Sequence, residues 1–244
     1  MEAQLSNLNI SALRIEAISP ADIDPELVDR YTHRRHLEHV RITELSCTLS
    51  HHAALNAFIL SGEDHGLILE DDVILAPSVK KLISGPLDGF DILRLETHLD
   101  PQHHFKRKTK SLGSFTLYLV ASRCAGTAAY IVTKHAARAI LDAEASRSRS
   151  YDFVLFFPFR NPGKTLQVMQ IIPALAAQDE TLKPSAYQGD IQHHDGNTTT
   201  KPSHLIIPHA IFHFWLTDLH INTVKTINRL LGRTRREVVP IELE

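Results

Sequence analysis

Short apolar runs alternate with amphipathic segments along most of the chain. Apolar runs of strand length occupy residues 13–18, 67–75, 90–97, 116–121, 128–133 and 165–173. Between them, apolar residues recur every three to four positions over residues 43–61, 78–84 and 134–146, which is the spacing of one helix face. Strands that alternate with helices are typical of an α/β fold, so the pattern predicts a mixed, mostly parallel sheet flanked by helices.

The first long helix has recognisable ends. Thr43 is of a residue type that caps helix starts, and Gly62 follows the last periodic position. We therefore expect the helix to begin at Thr43 and to end at Gly62.

The pattern weakens beyond about residue 179. Residues 180–203 are polar and rich in Pro and Gly, residues 204–215 are apolar again, and residues 219–236 resemble a basic helix. We therefore predict one main domain over residues 1–180. Residues 181–244 are expected to add a loop, a strand and a basic helix that pack on that same domain.

Three adjacent carboxylates interrupt the apolar run 67–75. Glu70, Asp71 and Asp72 would repel one another inside a strand, so a cation is expected to neutralise them. Oxygen-only ligands favour Mg²⁺ or Mn²⁺. In a continuous strand, Glu70 and Asp72 would share one face and Asp71 would lie on the other. The alternative is a strand that stops at Leu69 and leaves a solvated acidic turn.

Glu96 takes a similar place late in the next predicted strand, residues 90–97. In α/β sheets, ligands bind outside the carboxyl ends of the strands. Glu96 and the acidic triplet are therefore expected to face one crevice. The alternative for Glu96 is an ion pair with Arg94 or with a lysine of the following loop.

Composition narrows the protein class. The 244 residues are 43% hydrophobic with a net charge of −2, which fits a globular domain and argues against a nucleic-acid partner. Basic character is local, over residues 103–110 and 229–236. Cys47 and Cys124 are too few for a disulfide framework and fit a reducing compartment. No apolar run reaches the roughly 18–20 residues that span a bilayer, so we expect a cytoplasmic protein.

Residues 47–75 carry the spacing C-x-x-S-H on a helix, then a turn, then a strand with E-D-D-V. This segment resembles glycosyltransferase family 25, the lipopolysaccharide and lipooligosaccharide sugar transferases related to collagen galactosyltransferases. Further blocks match in the same order: FDILRLET (90–97), GTAAYIVTKHAARAIL (126–141), YDFVLFF (151–157) and IIPALAAQDE (171–180). The resemblance covers about residues 10–180, and a chance hit on one motif would not give this colinear order.

The resemblance implies a GT-A-like, Rossmann-like fold and transfer of a sugar from a nucleotide donor, most typically UDP-galactose, to a growing oligosaccharide. In that interpretation the acidic triplet takes the place of the D-x-D motif of metal-dependent transferases. Asp72 is expected to bind Mn²⁺ or Mg²⁺, and Glu70 to reach the same ion or the ribose of the UDP-sugar. The acceptor would be a lipopolysaccharide or another glycan.

A single-displacement transfer needs a base for the acceptor hydroxyl. Asp152 is the first candidate, because it lies in the matching segment 151–157. Its alternative role is the N-cap of the apolar helix that follows. Glu96 is the second candidate for the base.

Further residues are expected at the donor by position in the matching blocks. The expected donor-binding residues are Glu70, Asp71, Ser50, His51, Gly126, Thr127 and Gln178. Ser50 and His51 have an alternative role as a polar pair that bonds neighbouring backbone. Gln178 has an alternative role within a loop, and Gly126 would serve any tight turn.

One departure from the family pattern opens a second hypothesis. Family members usually begin with a V-I-S-L strand and a basic helix, whereas this chain starts at Met1 with what looks like the middle of that helix. Either the start of the chain is assigned too late or the protein lacks the first family strand. A non-catalytic relative that binds a glycan or a partner transferase is the alternative function. The basic segments suggest an anionic acceptor or a peripheral contact with the inner face of the cytoplasmic membrane, and residues 98–114 and 180–203 are expected to form acceptor-selecting loops.

Overall fold

The computed structural model of the chain describes residues 1–33, 39–159, 162, 164–182 and 221–242. Its helices are α1 (Glu2–Asn7), α2 (Pro25–Thr32), α3 (Ile42–Ser61), α4 (Val79–Ile83), α5 (Lys134–Asp142), α6 (Tyr151–Phe156) and α7 (Asp179–Leu182). Its strands are β1 (His65–Leu69), β2 (Val73–Leu75), β3 (Ile92–Arg94), β4 (Pro101–Leu112), β5 (Phe115–Val120), β6 (Ala129–Thr133), β7 (Val168–Ile172), β8 (Ala176–Gln178) and β9 (Thr234–Val238). Short 3₁₀ turns cover Pro20–Asp22 and Glu144–Ser146, and residues 221–230 are helical.

A seven-stranded mixed sheet forms the centre of the fold, in the order β1-β6-β3-β7-β5-β4-β9. The α/β class and the mixed sheet are confirmed, but the prediction of mostly parallel strands is wrong. Among the described pairs of this sheet, only β3 and β7 run parallel. The difference has a local cause at β4 and β5, which are joined by a two-residue turn at Gly113 with φ +59°. A turn of that length can join only antiparallel strands.

The central strands are buried on both faces, and alternate residues enter different cores. In β6, Tyr130 and Val132 pack with α3 and α5, whereas Ile131 packs on the opposite face with α4. In β3, Ile92 and Leu93 divide in the same way. Because side chains alternate along a strand, these strands are apolar at every position, and the sheet lies between two helical layers.

The segment 67–75, predicted as a single strand, is divided between two sheets. β1 ends at Leu69 in the large sheet, and β2 pairs with β8 in a separate two-stranded sheet. The amide of Gln4 on α1 covers the other edge of β2, donating to the Val73 carbonyl at 3.0 Å and accepting from the Leu75 N–H at 2.7 Å. The acidic triplet therefore lies at the junction of the two sheets.

Residues 13–18 do not form the predicted strand and have no regular secondary structure. Their backbone bonds α3 instead, because the Ile18 N–H donates to Ser50 Oγ at 2.9 Å and Ser46 donates to the Ile18 carbonyl. Helix α3 begins after Arg41, whose N–H donates to Glu44 at 2.9 Å, so the predicted cap at Thr43 is wrong. The predicted end at Gly62 is confirmed, with φ +85°.

The C-terminal segment is only partly described. The predicted strand 204–215 and most of the loop 180–203 lie outside the described residues. The predicted basic helix is shorter than expected, because residues 221–230 are helical and β9 follows on the edge of β4. The segment 98–114, expected to be a loop, is largely strand β4.

The described helices include none that is both long and apolar enough to cross a membrane.

Candidate active site

The acidic triplet separates because its backbone belongs to two hydrogen-bond ladders. The Glu70 N–H donates to the Ala128 carbonyl at 2.8 Å and so continues the pairing of β1 with β6. The Asp72 carbonyl accepts from the Asp179 N–H at 3.1 Å and so continues the pairing of β2 with β8. Asp71 lies between them and is exposed. The alternation argument for Glu70 and Asp72 therefore fails, since no single strand carries both.

Glu70 sits among hydrogen-bond donors rather than in a solvated turn. Its Oε1 accepts from the Thr127 hydroxyl at 2.8 Å and lies 3.1 Å from His51 Nε2. Burial pushes the pKa of Glu70 upward, but the hydrogen bonds from His51 and Thr127 and the His51 charge outweigh that effect and hold the pKa below its ordinary value. The predicted donor residues His51 and Thr127 thus meet at Glu70.

Cys47 completes this group of side chains. It lies one helical turn before His51 on α3, so both face the end of β1. The Cys47 sulfur, a His51 ring nitrogen and a Glu70 oxygen lie within 4.8 Å of one another. Burial, together with the charges of Glu70 and Asp152, raises the pKa of the Cys47 thiol to about 12. We call Cys47, His51, Glu70 and Thr127 the Glu70 corner.

Asp72 has a different environment on the neighbouring sheet. Its Oδ2 accepts from Gln178 Nε2 at 3.1 Å, and its Oδ1 is buried with no hydrogen-bond partner among the described residues. Burial and the charge of Glu70 raise the pKa of Asp72 above its ordinary value. We call Asp72 and Gln178 the Asp72 corner, and its unpartnered carboxylate oxygen is suited to a cation.

Glu96 lies fully buried behind these corners. Its Oε1 is 3.3 Å from Arg94 Nη2, so the ion pair that the sequence offered as an alternative is present. Its Oε2 accepts from the Ala128 N–H at 3.1 Å. Burial raises the pKa of Glu96 to about 7, although Arg94 lowers it and Glu70 raises it further. The carboxyl group therefore titrates near neutral pH, as a proton-transferring group would.

Gly126 allows the backbone to approach Glu96 closely. Its φ of +80° disfavours other residues, and an added Cβ would lie 2.0 Å from His98 Nε2 and 2.5 Å from Glu96 Oε1. The close contact of Gly126 is with the Glu96–His98 pair, in which 3.8 Å separates His98 Nε2 from Glu96 Oε1, and its role at the donor stays a prediction.

The remaining predicted residues are less closely joined to this centre. Asp152 lies in the first turn of α6, where Ser150 rather than Asp152 is the N-cap residue. Its Oδ2 lies 2.8 Å from Arg123 Nη2, and its side chain is 14% exposed. Ser50 has the alternative role that the sequence offered, because its hydroxyl bonds the backbone of Ile18 and Ser46.

A family model matches this arrangement over more than half of the chain. The model of glycosyltransferase family 25, described as a lipopolysaccharide biosynthesis protein, matches residues 1–155. The chain belongs to glycosyltransferase family 25. It is therefore a glycosyltransferase of lipopolysaccharide biosynthesis, and the sequence-based assignment to this family is confirmed. No curated protein matches the chain.

Within the family match, sequence reasoning missed three features of the site. Cys47 stands in the C-x-x-S-H spacing that pointed to the family, and its helical distance from His51 was a usable signal. His98 had no such signal, because it follows β3 in an irregular segment. Arg94 was expected only as an alternative ion-pair partner of Glu96, and the sequence did not indicate that it is fully buried and also donates to the carbonyls of Glu96 and Ala125.

Proposed function

We propose that this family 25 glycosyltransferase transfers galactose from UDP-galactose to a lipopolysaccharide or lipooligosaccharide acceptor. The observation that carries the proposal is the convergence of three carboxylates at the junction of the two sheets. The charge of Glu70 raises the pKa of both Asp72 and Glu96, so Glu70 interacts electrostatically with each of the other two carboxyl groups. Such a cluster is expensive to build in a core and suits a cationic partner.

The Asp72 corner is where we place the donor's divalent ion. The buried Oδ1 of Asp72, which has no hydrogen-bond partner in the described part of the chain, offers the hard oxygen ligand that Mn²⁺ or Mg²⁺ prefers, and Gln178 fixes the orientation of the carboxylate. Bound there, the ion would neutralise the charge of a nucleoside diphosphate leaving group. The charge of Glu70 from the neighbouring sheet adds to the pull on a cation, and Asp71 between the two is exposed.

Asp152 and Glu96 remain the two candidates for the base. Asp152 is the more accessible carboxylate, because 14% of its side chain is exposed, whereas only 1% of the Glu96 side chain is exposed. Glu96 has the pKa of about 7 that suits proton transfer at neutral pH. We assign the base to Asp152 on accessibility and expect Asp152→Asn to lower kcat, with KM for the donor unchanged.

The test is a transfer assay with a panel of UDP-sugars and truncated lipopolysaccharide acceptors. Release of UDP and a matching mass increase of the acceptor, with UDP-galactose as the best donor, would support the proposal. Another preferred donor sugar would overturn the galactose assignment alone. A folded protein that releases no UDP from any donor, yet binds a glycan, would favour the non-catalytic alternative.

We also propose a peripheral contact with an anionic membrane surface through the end of the C-terminal helix. Leu230 and Leu231 are 80% and 57% exposed beside Gly232, and the exposed Arg229 and Arg233 flank them. Apolar side chains ringed by cations are typical of interfacial binding.

Vesicle cosedimentation tests this contact. Binding to anionic but not to neutral vesicles should weaken in Leu230→Ser and persist in Leu60→Ser, which removes an equally exposed leucine on α3. Equal partitioning of the protein on both kinds of vesicle would contradict the proposal.

A further inference from the structure

The Glu70 corner contains three side chains of the types that bind transition metals. The sugar transfer proposed above gives no role to one of the three, Cys47. Cys47, His51 and Glu70 bring a sulfur, a nitrogen and an oxygen within 4.8 Å of one another. Cys47 and His51 share one face of α3, and Glu70 follows β1 directly. Helix α3 and the end of strand β1 therefore bring a sulfur, a nitrogen and an oxygen atom close to one another.

We propose that Cys47, His51 and Glu70 form a Zn²⁺ site that is separate from the Asp72 corner. Mixed thiolate, imidazole and carboxylate ligands suit zinc, whereas Mg²⁺ and Mn²⁺ prefer oxygen alone. Asp72 offers the oxygen ligand that Mg²⁺ and Mn²⁺ prefer, and it lies beside the two-stranded sheet of β2 and β8. Three protein ligands leave the fourth position of a tetrahedral zinc ion open to water or another ligand.

Neighbouring side chains already hold two of the three ligands, His51 and Glu70, in place. The Tyr130 hydroxyl lies 3.2 Å from His51 Nδ1 and 3.4 Å from the Tyr151 hydroxyl, and Thr127 donates to Glu70. Such outer contacts orient the ligands of zinc sites. In the tautomer that donates from Nδ1 to Tyr130, the Nε2 lone pair of His51 faces Glu70 Oε1 at 3.1 Å. A metal ion bound there would replace the Nε2 proton that otherwise donates from His51 to Glu70.

The site needs only small adjustments to bind the ion. Zinc bonds of roughly 2.0–2.3 Å place tetrahedral ligand atoms roughly 3.3–3.7 Å apart, so atoms that lie within 4.8 Å of one another need to shift by at most about 1 Å. Binding releases the Cys47 thiol proton to solvent, and the ion stabilises the thiolate that remains. Thiolate and carboxylate together balance the two charges of the ion. Glu70 has 28% of its side chain exposed, which gives the ion a route in.

Cobalt substitution tests the site without any sugar transfer. The intact chain is stripped of metal by chelator and titrated with Zn²⁺ or Co²⁺, and the bound metal is counted by elemental mass spectrometry. We expect Co²⁺ to give a thiolate-to-cobalt charge-transfer band that Zn²⁺ removes. Because the chain contains two cysteines, the band has only two origins, and histidines elsewhere cannot produce it.

The two cysteines provide matched variants. Cys47→Ser should abolish the band and weaken zinc binding by more than about 10-fold, because the sulfur ligand is lost. Cys124→Ser should leave both unchanged, since Cys124 is buried beside Gln102 and outside the corner. His51→Gln should weaken zinc binding while circular dichroism confirms the fold.

Two results would overturn the proposal: wild-type protein that binds Co²⁺ without a thiolate band, and a band that survives in Cys47→Ser. If Cys47→Ser does not fold, the wild-type band and the Cys124→Ser control still decide which sulfur binds. Failure of the transfer assay would not change any of these metal measurements.

Discussion

Glu70 and Asp72 are separated by one residue but occupy opposite chemical environments. Glu70 accepts hydrogen bonds from His51 on α3 and from Thr127 just before β6, and its pKa is held below the ordinary value. Asp72 accepts from the Gln178 amide beside β8, its Oδ1 has no hydrogen-bond partner among the described residues, and its pKa is raised. The first carboxylate is stabilised as an anion by the protein itself, and the second lacks that stabilisation.

The contrast shows that the environment of each carboxylate depends on the strand with which its backbone pairs, more than on its position in the sequence. The chain leaves the large sheet after Glu70 and enters the small sheet at Asp72, so each side chain meets the residues of a different partner strand. A site at such a junction can present differently tuned carboxylates to one ligand. Asp72 is then the group that gains most from an added cation.

The largest expected effect on stability comes from Gly126→Ala. This substitution disturbs the packing around Glu96, near the Glu70 corner, and leaves the Asp72 corner unchanged. The new Cβ would overlap His98 and Glu96 at a φ of +80°, so the free energy of unfolding should fall by about 2–4 kcal/mol in urea titration. Gly113→Ala is the control, because its φ is +59° but no atom lies within 4 Å of the new Cβ. Equal losses in the two variants would show that the overlap is absent.

Neutralising the two carboxylates should change stability in opposite directions at pH 7. Glu70→Gln removes a hydrogen-bonded anion and should lower the free energy of unfolding by about 1–3 kcal/mol. Asp72→Asn relieves a poorly stabilised charge and should leave stability unchanged or raise it by up to about 1 kcal/mol. A large loss of stability in Asp72→Asn would mean that the protein already stabilises that anion.

The same contrast should appear in the pH dependence of stability. Glu70 has a lowered pKa, so its contribution is present above its unfolded value near 4.5 and is lost as the pH falls through the folded pKa. Asp72 has a raised pKa, so its contribution is present below its unfolded value near 3.8 and is lost as the pH rises through the folded pKa. Urea unfolding of each variant and the wild type between pH 3 and 7 measures both slopes, and slopes of the same sign would refute the assignment.

The smallest expected effect comes from Gln178→Ala, which removes the amide donor of Asp72. One hydrogen bond at about 0.5–1.5 kcal/mol sets the expected loss of stability. In the double variant with Asp72→Asn the loss should be smaller, because the two groups interact. Fully additive losses in this double-mutant cycle would show that the amide does not act through Asp72.

The local pattern was sufficient for the elements that carry the site. Helical periodicity located α3, and the apolar run before Glu70 located β1. The charge of Glu70 acts on Glu96, so these two groups are close enough to interact, whereas the crevice shared by Glu96 and the triplet stays a prediction. These features follow from side chains within one element and from where strands end.

The directions of the strands and the presence of the polar strand β4 could not be predicted from the local sequence pattern. Residues 103–110 are mostly polar, because the strand lies toward one edge of the sheet, so their spacing gave no strand signal. The roles of His51 and Ser50, adjacent on α3, separate only because residues 11–19 cross the helix at Ser50. That crossing depends on tertiary packing, which local periodicity does not contain.

The central claim is that Asp72 binds the divalent ion of a nucleotide donor, and calorimetric titration of UDP with and without Mn²⁺ tests it most directly. The account predicts binding that requires Mn²⁺, that is lost in Asp72→Asn, and that persists in Asp88→Asn, an exposed carboxylate before the opposite end of β3. Metal-dependent binding that survives unchanged in Asp72→Asn, or no binding by folded wild-type protein, would contradict it.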